Sequence, residues 1–568
     1  MKRFRIKVKK NRKALALLIW FVVTALIPNM VLAFTEHYCG WSILAGLLMP
    51  LGFYLLLLAP IRRTGVPVLL NVWVLILCAF QIVLLYLFGN SIIATDMFTN
   101  LLTTNPGEAS ELLSNISPAI AIVVVIYAPT LIYAVYAAHK RYRITRPMRK
   151  KTLCWGLGLF VAGTLMLIPA HLAGHRRVFL KEVFPANVLY NLKLCLSEQK
   201  RIKHYAESSE DFTYNAVRSD NPKQREIYVY MIGEASRAAS WQMFGYERET
   251  NPLLSQREDI HIFRNMLTQS NTTHKSVPLF LSSVGAANRS ELYNRKGLAE
   301  LFSETGFKTY FISNQSPQGA MVDLLANEAD ERIYIGAPRY DWQLLSMMRR
   351  IIESDNDADL LFILHCYGSH FSYCERYPRE FAKFVPDEDV SIKRSNVPTI
   401  INAYDNSIVY TDAVINEIIE YLRSLDACAS LLYCSDHGED ILDDERGRFL
   451  HASPTVTYWQ IHVPSLVWFS DDYALRYPER AAAAENNRWA AATTHSMFHT
   501  MADIASIRSP YIDTSVSLVS DDFDKEAPRY YLNDHNEAVP YDERIGLDDD
   551  DMAQFAKHGI SLKRQQER

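Results

Sequence analysis

Residues 175–568 lack any stretch in which basic residues alternate with aromatic side chains. Nucleic-acid binding needs such a basic surface, so this absence excludes nucleic acid as a partner. The formal net charge of −4 gives no information about other partners. The sequence also lacks a visible internal repeat and, after residue 174, long apolar runs. This part of the chain therefore has the composition of a mixed globular domain.

Long apolar runs are confined to the first 174 residues, and five of them reach the roughly 20 residues that a membrane-spanning helix needs. We place these spans near 14–34, 41–60, 66–89, 116–138 and 152–174. The first run is too long for the core of a signal peptide, so we expect it to be retained. The sequence thus predicts a transmembrane domain of five helices at residues 1–174.

Lysine and arginine are absent from residues 35–40 and 90–115. Basic clusters occur instead at the N-terminus and after the second and fourth apolar segments. Cytoplasmic loops carry the excess of lysine and arginine, so we expect a cytoplasmic N-terminus. An odd number of spans then places the chain after residue 174 on the outer side, which is the periplasm in a double-membrane bacterium.

Cysteine is scarce, with eight residues in the chain. Cys78 and Cys154 lie within apolar spans, where we expect them to be small core residues. In an oxidising compartment, neighbours in sequence are the first candidates for disulfides. These candidates are Cys366 with Cys374 and Cys428 with Cys434. The sequence leaves the connectivity open.

From residue 225 onward, short apolar runs alternate with helical patterns, which is typical of an α/β domain. The predicted strands are 226–232, 261–267, 307–313, 359–365, 429–435 and 463–469, and helical patterns include 341–353 and 404–423. Residues 175–222 form an amphipathic connector that lies either along the membrane surface or against the soluble domain. The acidic, polar tail at 522–568 is expected to be a surface wrap or partly disordered.

Polar clusters follow four of the predicted strands. They comprise Glu234 and the segments 268–273, 365–370 and 436–440. In open α/β sheets, binding sites form beyond the carboxyl ends of the strands. We therefore expect these four segments, which are distant in sequence, to meet in one cleft.

Asp436 and His437 end an apolar strand, and with Glu234 they supply two oxygen ligands and one nitrogen ligand suited to zinc. A catalytic zinc site keeps one further position for a reacting group, and Thr273 is the candidate for it. A hydroxyl bound to zinc loses its proton more readily and becomes a nucleophile near neutral pH. Thr273 also begins a predicted helix, whose N-terminal amides suit an incoming phosphate.

Each of these residues also has an ordinary structural interpretation. Thr272 and Thr273 are suited to cap the helix that follows them. Glu234 is suited to a turn, and His370 and His451 to the surface or the core. The shared position of the polar clusters at strand ends favours a metal site over these alternatives.

Seven motifs, in their order along the chain, resemble the lipid A phosphoethanolamine transferases, a family that includes the mobile colistin-resistance enzymes. The motifs are GEASR (233–237), GYERETNP (245–252), TTHKSVP (272–278), LHCYGSH (364–370), INAYDNSIVYTD (401–412), SDHGED (435–440) and FLHASP (449–454). With the apolar spans, the similarity covers nearly the whole chain except the connector and the tail. Single motifs also occur in sulfatases and lipoteichoic acid synthases, which share the alkaline-phosphatase fold.

The resemblance implies a five-helix transmembrane domain followed by an α/β alkaline-phosphatase/sulfatase-like domain at 223–521, with a central, mostly parallel sheet. It further implies that Glu234, Asp436 and His437 hold one catalytic zinc ion. Thr273, five residues before Pro278, matches the nucleophile and fourth ligand of the family.

Further residues match the family's binding positions for substrate. His370 and His451 match histidines that bind the donor phosphate or a second zinc ion, and Glu439 matches another residue at that second position. The remaining matches, for the ethanolamine end of the donor, are Asn100, Thr104 and Glu108. A carboxylate such as Glu108 is the expected partner of an ammonium group, although a short surface helix with a solvated charge is the alternative interpretation.

Three departures from the family pattern concern the substrate and the disulfides. Gln318 stands where the best-known members have a lysine that contacts the phosphate, so a neutral amide replaces a charge at the donor site. Gln269 and Leu279 stand where those members have a cysteine pair that brackets the nucleophile, and another loop disulfide is missing as well. These changes leave the proposed zinc and threonine residues in place.

The resemblance implies a monomeric bacterial inner-membrane enzyme with a periplasmic catalytic domain. Such an enzyme transfers phosphoethanolamine from phosphatidylethanolamine to lipid A, the lipopolysaccharide core or another envelope glycan, and is linked to polymyxin resistance. Two alternatives stay open: a phosphoglycerol transferase of the lipoteichoic acid synthase type, and a non-catalytic membrane regulator with a sulfatase-like domain. The motifs GEASR and GYERETNP and the loop with Asn100, Thr104 and Glu108 favour ethanolamine, and the presence of all four zinc-site residues disfavours the regulator.

Overall fold

The computed structural model describes residues 2–36, 39–89, 92–103, 116–173, 179–220, 224–317, 320–336, 340–541 and 545–562. The chain divides into two compact units. One contains residues 1–98 and 109–196, and the other contains residues 99–108 and 197–568.

The described parts of the chain up to residue 203 are mainly helical. Its helices are Lys2–Thr35, Gly40–Leu58, Gly65–Leu70, Val72–Phe88, Thr95–Thr103, Ser117–His139, Arg146–Leu172, Phe179–Glu182 and Ala186–Lys203. Four segments are long and apolar enough to cross a membrane, namely Asn11–Thr35, Gly40–Leu58, Ser117–His139 and Arg146–Leu172. Four of the predicted spans are thereby confirmed as apolar helices of spanning length.

The remaining predicted span, 66–89, is divided in the structure at Asn71. The Asn71 side-chain amide donates a hydrogen bond to the backbone carbonyl of Pro67 at 2.7 Å, and this local bond competes with a continuous helix. The following helix Val72–Phe88 has 17 residues, fewer than the roughly 20 that a span needs. A fifth uninterrupted spanning helix is therefore not confirmed among the described residues.

Small residues allow close packing in the helical unit. A Cβ atom added at Gly52 would lie 2.4 Å from the backbone nitrogen of Phe160, and one at Gly163 would lie 2.7 Å from that of Met49. Helices Gly40–Leu58 and Arg146–Leu172 therefore approach each other backbone to backbone, as membrane helices with small interface residues do.

The second unit is built on a seven-stranded mixed sheet. In spatial order its strands are Ile260–Ile262, Ser465–Phe469, Cys428–Ser435, Glu226–Gly233, Leu360–His365, Lys308–Ser313 and Glu331–Tyr334. Four neighbouring pairs are parallel. Strand Ser465–Phe469 runs antiparallel to both of its neighbours, so the sheet is mixed.

Helices and short strands complete this unit. The further helices are Tyr205–Ser208, Thr273–Phe280, Leu298–Ser303, Met321–Ala326, Trp342–Ser354, Val397–Arg423, Tyr458–Ile461, Asp471–Arg476, Pro478–Asn486, Ser496–Ile504 and Asp549–Lys557. The further strands are Val217–Arg218, Met266–Leu267, Asp440–Ile441, Phe449–Leu450, Ala492–Thr493, Ile507–Arg508, Tyr530–Leu532 and Ala538–Pro540. The predicted strand 261–267 is wrong as a single strand, because Met266–Leu267 leaves the central sheet to pair with Ala492–Thr493.

The central strand Glu226–Gly233 shows why the sheet is buried on both faces. Every residue of this strand is buried. Tyr228 and Tyr230 join the apolar core on one face, whereas Ile227 and Val229 join the core on the other. This alternation follows from the two-residue period of a strand, and the continuous apolar run is typical of a sheet covered on both sides.

The structure contradicts both candidate disulfides. All eight cysteines lie in the described part of the chain, and all are free. Cys428 and Cys434 lie near opposite ends of the buried strand Cys428–Ser435. Six residues of strand span roughly 20 Å, which a disulfide cannot bridge.

Candidate active site and metal centre

The register of the sheet brings three loops to one edge. Gly233 pairs with Ser435, and Ile232 pairs with His365, so the carboxyl ends of three parallel strands align. Glu234 and Asp436 directly follow two of these strands. The expectation that polar clusters meet beyond the strand ends is therefore confirmed for these segments.

Four side chains converge on one point in this cleft. The Thr273 hydroxyl oxygen lies 3.1 Å from Nε2 of His437 and 3.3 Å from Oε2 of Glu234. Nε2 of His437 lies 3.6 Å from Oε1 of Glu234 and 3.3 Å from Oδ2 of Asp436. These are the four residues that the sequence predicts as zinc ligands, and each points a donor atom at the same small volume.

Three further predicted residues lie beside this group. Nδ1 of His451 lies 2.8 Å from Oε2 of Glu439, and the rings of His451 and His437 are 4.1 Å apart between centroids. The ring of His370 lies 6.4 Å from that of His451. Glu234, His437 and His451 each offer one ligand atom within 4.8 Å of the others, so the structure adds His451 to the candidate metal group.

Hydrogen bonds fix the tautomer of the central histidine. Nδ1 of His437 lies 2.9 Å from the carbonyl oxygen of Gly438 and therefore donates its proton there. The lone pair of Nε2 then faces Thr273 and Glu234, which is the arrangement of a metal-binding imidazole. A Cβ atom at Gly438 would lie 2.0 Å from the carbonyl oxygen of Trp459, so only glycine fits at this position.

The electrostatics of the cleft suit a cation. Burial lowers the pKa of His437 and of His451 to about 4, so both imidazoles are neutral at neutral pH. Burial raises the pKa of Asp436 to about 7 and of Glu439 to about 8. Burial and the neighbouring Asp436 carboxylate raise the pKa of Glu234. A bound cation would offset the cost of ionising these buried carboxylates.

A buried carboxylate oxygen without a hydrogen-bond partner, here called orphaned, tests whether a metal ion fits the site. Asp436 is fully buried, and its Oδ1 accepts hydrogen bonds from the backbone amides of Ala235 at 3.2 Å and His437 at 2.7 Å. Its Oδ2 is buried without a hydrogen-bond partner. Such an atom is costly unless something binds it. A metal ion among two carboxylates, a neutral imidazole and a hydroxyl satisfies it, so the residues present fit zinc.

The loops that carry these side chains are held in uncommon backbone conformations. Ala235 has φ of 53°, and Leu450 and Ala452, which flank His451, have φ of 68° and 62°. Positive φ costs roughly 1–3 kcal/mol for residues with a side chain and persists only where the surroundings enforce it. Tyr404 supplies such a restraint, since its hydroxyl donates to the carbonyl of Ala235 at 2.7 Å.

The helix that carries Thr273 begins as predicted. Thr273 is the first residue of helix Thr273–Phe280, and Thr272 occupies the N-cap position. The side chain of Thr272 makes no capping hydrogen bond, so the alternative interpretation of this pair as a simple cap has no support.

Two residues that help to position the site were missed from the sequence. The Gln315 amide donates at 2.9 Å to Oε2 of Glu234 and at 2.9 Å to the carbonyl of Cys366. Asp341 accepts from the backbone amides of Tyr367 at 2.8 Å and Gly368 at 2.9 Å. Gln315 follows strand 308–313, so the strand-end rule was the signal that would have found it. Asp341 precedes a helix, and its role depends on tertiary packing alone.

Gln269 and Leu279, which stand where the family has a cysteine pair, make other contacts in place of a disulfide. Gln269 accepts a hydrogen bond from the amide of Ala286 at 2.6 Å, and Leu279 is fully buried in the apolar core. Polar and apolar contacts thus hold the two ends of the segment that contains Thr273. Four predicted donor-binding side chains lie outside the described residues, those of Asn100, Thr104, Glu108 and Gln318.

The chain is similar in sequence to known proteins. The sulfatase family model matches residues 226–507. The chain is 32% identical over 282 residues to the Kdo(2)-lipid A phosphoethanolamine 7''-transferase of Escherichia coli K12, and this match covers 48% of each protein. It is 26% identical over 408 residues to the phosphoethanolamine transferase EptA of the same strain, with 68% of this chain and 73% of that protein covered. The first of these matches spans about half of the relative's length.

Solved structures show the same fold. The integral membrane lipooligosaccharide phosphoethanolamine transferase A (EptA) of Neisseria meningitidis has a TM-score of 0.69 at 21% identity, covering 88% of this chain and 98% of that chain. The C-terminal periplasmic domain of EptC from Escherichia coli, in complex with zinc, has a TM-score of 0.52 at 24% identity, covering 58% and 95%. Residues 226–507 therefore match the sulfatase family model, the chain is similar in sequence to phosphoethanolamine transferases, and the solved structures share its fold.

Proposed function

We propose that this protein transfers phosphoethanolamine from phosphatidylethanolamine to lipid A or another envelope glycolipid, through a covalent intermediate on Thr273. One observation carries the proposal: the Thr273 hydroxyl lies 3.1 Å from Nε2 of His437 in a cluster that also contains the orphaned Oδ2 of Asp436. The names of the relatives support this choice of group and acceptor.

Glu234, Asp436 and His437 would hold one zinc ion, with Thr273 as the reacting ligand. Zinc, when bound, lowers the pKa of the coordinated hydroxyl and neutralises developing negative charge. The zinc complex of the related EptC domain supports this identity of the metal. His370, His451 and Glu439 form the adjoining position, which we assign to the donor phosphate or to a second zinc ion.

In the first step, Thr273 Oγ1 gives its proton, directly or through water, to the neutral imidazole of His451 or His370 and forms a bond to the phosphorus of phosphatidylethanolamine. The bond from phosphorus to the glycerol oxygen breaks, and diacylglycerol leaves after that oxygen takes up a proton. His451 is mostly buried beside His437, and with His370 it is the candidate to supply this proton or to orient the phosphate.

In the second step, a hydroxyl or phosphate oxygen of the acceptor forms a bond to the same phosphorus. The bond to Thr273 Oγ1 breaks, and the threonine oxygen takes up a proton equivalent to the one that the acceptor oxygen gives up. Helix Thr273–Phe280 places the nucleophile at its first position, where backbone amides face an incoming phosphate.

We assign the helical part to the bacterial inner membrane, with a cytoplasmic N-terminus and a periplasmic second unit. Helices Gly65–Leu70 and Val72–Phe88 together make the third crossing in this assignment, since both are apolar and separated by Asn71 alone. The boundaries at 174, 222 and 521, a monomeric state, and donor contacts from Asn100, Thr104, Glu108 and Gln318 belong to the same proposal.

Transfer by a threonine variant tests the proposal. Full-length protein in micelles is incubated with phosphatidylethanolamine and Kdo(2)-lipid A, and the products are identified by mass spectrometry. Thr273→Ala is expected to abolish both diacylglycerol release and transfer, whereas Thr305→Ala, remote from the cleft, retains both. Transfer by Thr273→Ala at the wild-type rate would overturn the nucleophile assignment, and a phosphoglycerol product would identify the alternative activity.

A further inference from the structure

Gln460 is a buried amide that joins three segments of the candidate site. It lies in the short helix Tyr458–Ile461 and is fully buried. Its Nε2 donates to Oδ2 of Asp440 at 2.6 Å and to the carbonyl oxygen of Leu450 at 3.3 Å. Its Oε1 accepts from the side-chain amide of Asn271 at 2.6 Å. Within two residues of these partners stand three residues of the candidate site, Glu439, His451 and Thr273.

We propose that Gln460 is a positioning residue for the transfer, which fixes His451 relative to Thr273 through its contacts with neighbouring segments. The inference rests on the proposed function, since it concerns the rate at which Thr273 attacks the donor phosphorus. One amide side chain fastens together segments whose own side chains act on the same phosphorus.

The orientation of the Gln460 amide is fixed by its partners. The Leu450 carbonyl and the Asp440 carboxylate accept hydrogen bonds, so they face Nε2. The Asn271 amide has the complementary orientation, because its Nδ2 also donates to the carbonyl of Ser453 at 2.9 Å. The same nitrogen therefore faces Oε1 of Gln460. Both ends of the Gln460 amide are thus paired, and a paired buried network holds its members in one arrangement.

The backbone around His451 needs such a restraint. Leu450 and Ala452, on either side of it, have φ of 68° and 62°, a region that residues with a side chain rarely adopt. The Leu450 carbonyl is held by Gln460, and the Ala452 amide donates to the backbone carbonyl of Asn271 at 3.0 Å. Without these bonds the segment would be free to relax toward ordinary φ angles, and the His451 ring would move with it.

The same link reaches Thr273 through Asn271. Thr273 is the first residue of helix Thr273–Phe280, and Asn271 stands two residues before it. The Asn271 side chain therefore anchors the entry to this helix on Gln460. The backbone carbonyl of Gln460 also accepts from the amide of Gly438 at 2.8 Å, directly after the histidine that we assign to zinc. This last contact uses the backbone and is kept when the Gln460 side chain is replaced.

Loss of the link is expected to lower the rate of reaction rather than the binding of metal or donor. Reacting groups must be held within about 0.5 Å of their productive positions, and a displacement of about 1 Å costs about 100-fold in rate. Glu234 and Asp436 directly follow strands of the central sheet, so the sheet holds them in place. Zinc affinity and the KM for phosphatidylethanolamine should therefore change by less than about twofold, while kcat falls.

Diacylglycerol release by full-length protein in micelles tests the inference. Gln460→Met keeps the bulk of the side chain and removes the amide, and its kcat is expected to fall by about 10- to 100-fold at unchanged KM and zinc content. Asn487→Leu is the matched control, because Asn487 is a buried amide that donates to the carbonyls of Leu518 at 3.1 Å and Ser520 at 3.0 Å. We expect a lower melting temperature in both variants but a lower kcat only in Gln460→Met. A wild-type kcat in Gln460→Met, or an equal loss of kcat in the control, would overturn the inference.

A double-mutant cycle separates the link from general destabilisation. Asn271→Ala removes the other half of the bond between Asn271 and Gln460, and it takes the place of Gln460→Met, with the same expected loss of kcat, if that variant does not fold. Because the two side chains act as one link, the double variant should lose less kcat than the product of the two single losses. Losses that multiply would show independent effects and would overturn the inference.

The position of the His451 ring decides the inference if the wild type releases no diacylglycerol, a result that would show the proposed transfer itself to be wrong. Experimental structures of the wild type and Gln460→Met, or Asn271→Ala in its place, are then compared. The ring is expected to be displaced relative to Thr273 by more than about 0.5 Å in the variant. An unchanged ring position would overturn the positioning role.

Discussion

Gln315 is expected to control zinc affinity although it is not a ligand. Its amide holds Oε2 of Glu234 at 2.9 Å and is itself held by the carbonyl of Cys366 at 2.9 Å. Gln315→Leu keeps the bulk of the side chain and removes the hydrogen bond. A hydrogen bond to a charged group contributes roughly 1.5–3 kcal/mol, which corresponds to about a tenfold to hundredfold change in affinity. Outer partners of metal ligands show losses of the same size.

Competition with a zinc chelator measures this affinity on purified full-length protein, and diacylglycerol release measures the consequence for the reaction. The matched control is Gln256→Leu, because Gln256 is exposed and its amide donates only to the carbonyl of Pro252 within its own turn. Zinc affinity in Gln315→Leu equal to that of the control would refute the reasoning that Glu234 is a ligand held in place by this amide.

Three further predictions concern stability and the metal. Asp551→Asn is expected to lower the free energy of unfolding by about 2–3 kcal/mol, because buried Asp551 accepts hydrogen bonds from Arg446 at 2.8 Å and from the Tyr458 amide at 2.9 Å. The control in a thermal melt is Asp550→Asn, since Asp550 is exposed. Equal melting temperatures for the two variants would contradict the prediction. Burial lowers the pKa of His462 to about 3, so between this value and the unfolded value of about 6.5 the unfolded state binds the extra proton and stability falls as pH falls. From about pH 7.5 to pH 5, the free energy of unfolding of the wild type should therefore fall by about 2 kcal/mol more than that of His462→Gln in denaturant titrations. Parallel pH profiles of unfolding free energy for the two proteins would contradict this prediction. Chelation of zinc should abolish diacylglycerol release and lower the melting temperature, both restored by added zinc, and full activity in the metal-free protein would exclude a catalytic metal.

The central sheet was predictable from sequence where burial is complete. Strands Glu226–Gly233 and Cys428–Ser435 are apolar runs buried along their whole length, and their polar ends supply Glu234 and Asp436. Edge strand Glu331–Tyr334 was missed, because its first two residues are charged and exposed and it has no apolar run. Burial on both faces leaves a strong signal in sequence, whereas an edge strand depends on the backbone of its neighbour.

Local chemistry explains the other differences. The break at Asn71 arises from a side-chain bond to the carbonyl of Pro67, which hydropathy does not detect. Asp341 accepts a hydrogen bond from the Tyr367 amide, which lies in a segment distant in sequence, and no local sequence pattern predicts such a contact. Motif order located Glu234 and Thr273, but the orientation of their donor atoms depends on the packed sheet and the loops around it.

Detection of a phosphoethanolamine group on Thr273 is the most direct test of the mechanism. Full-length protein is incubated with phosphatidylethanolamine without an acceptor, quenched in acid, digested and analysed by tandem mass spectrometry. The account predicts the modification on the peptide that contains Thr273, its loss when Kdo(2)-lipid A is added before the quench, and no modification in Thr273→Ala. Turnover with an unmodified Thr273, or with the group on another residue, would contradict it.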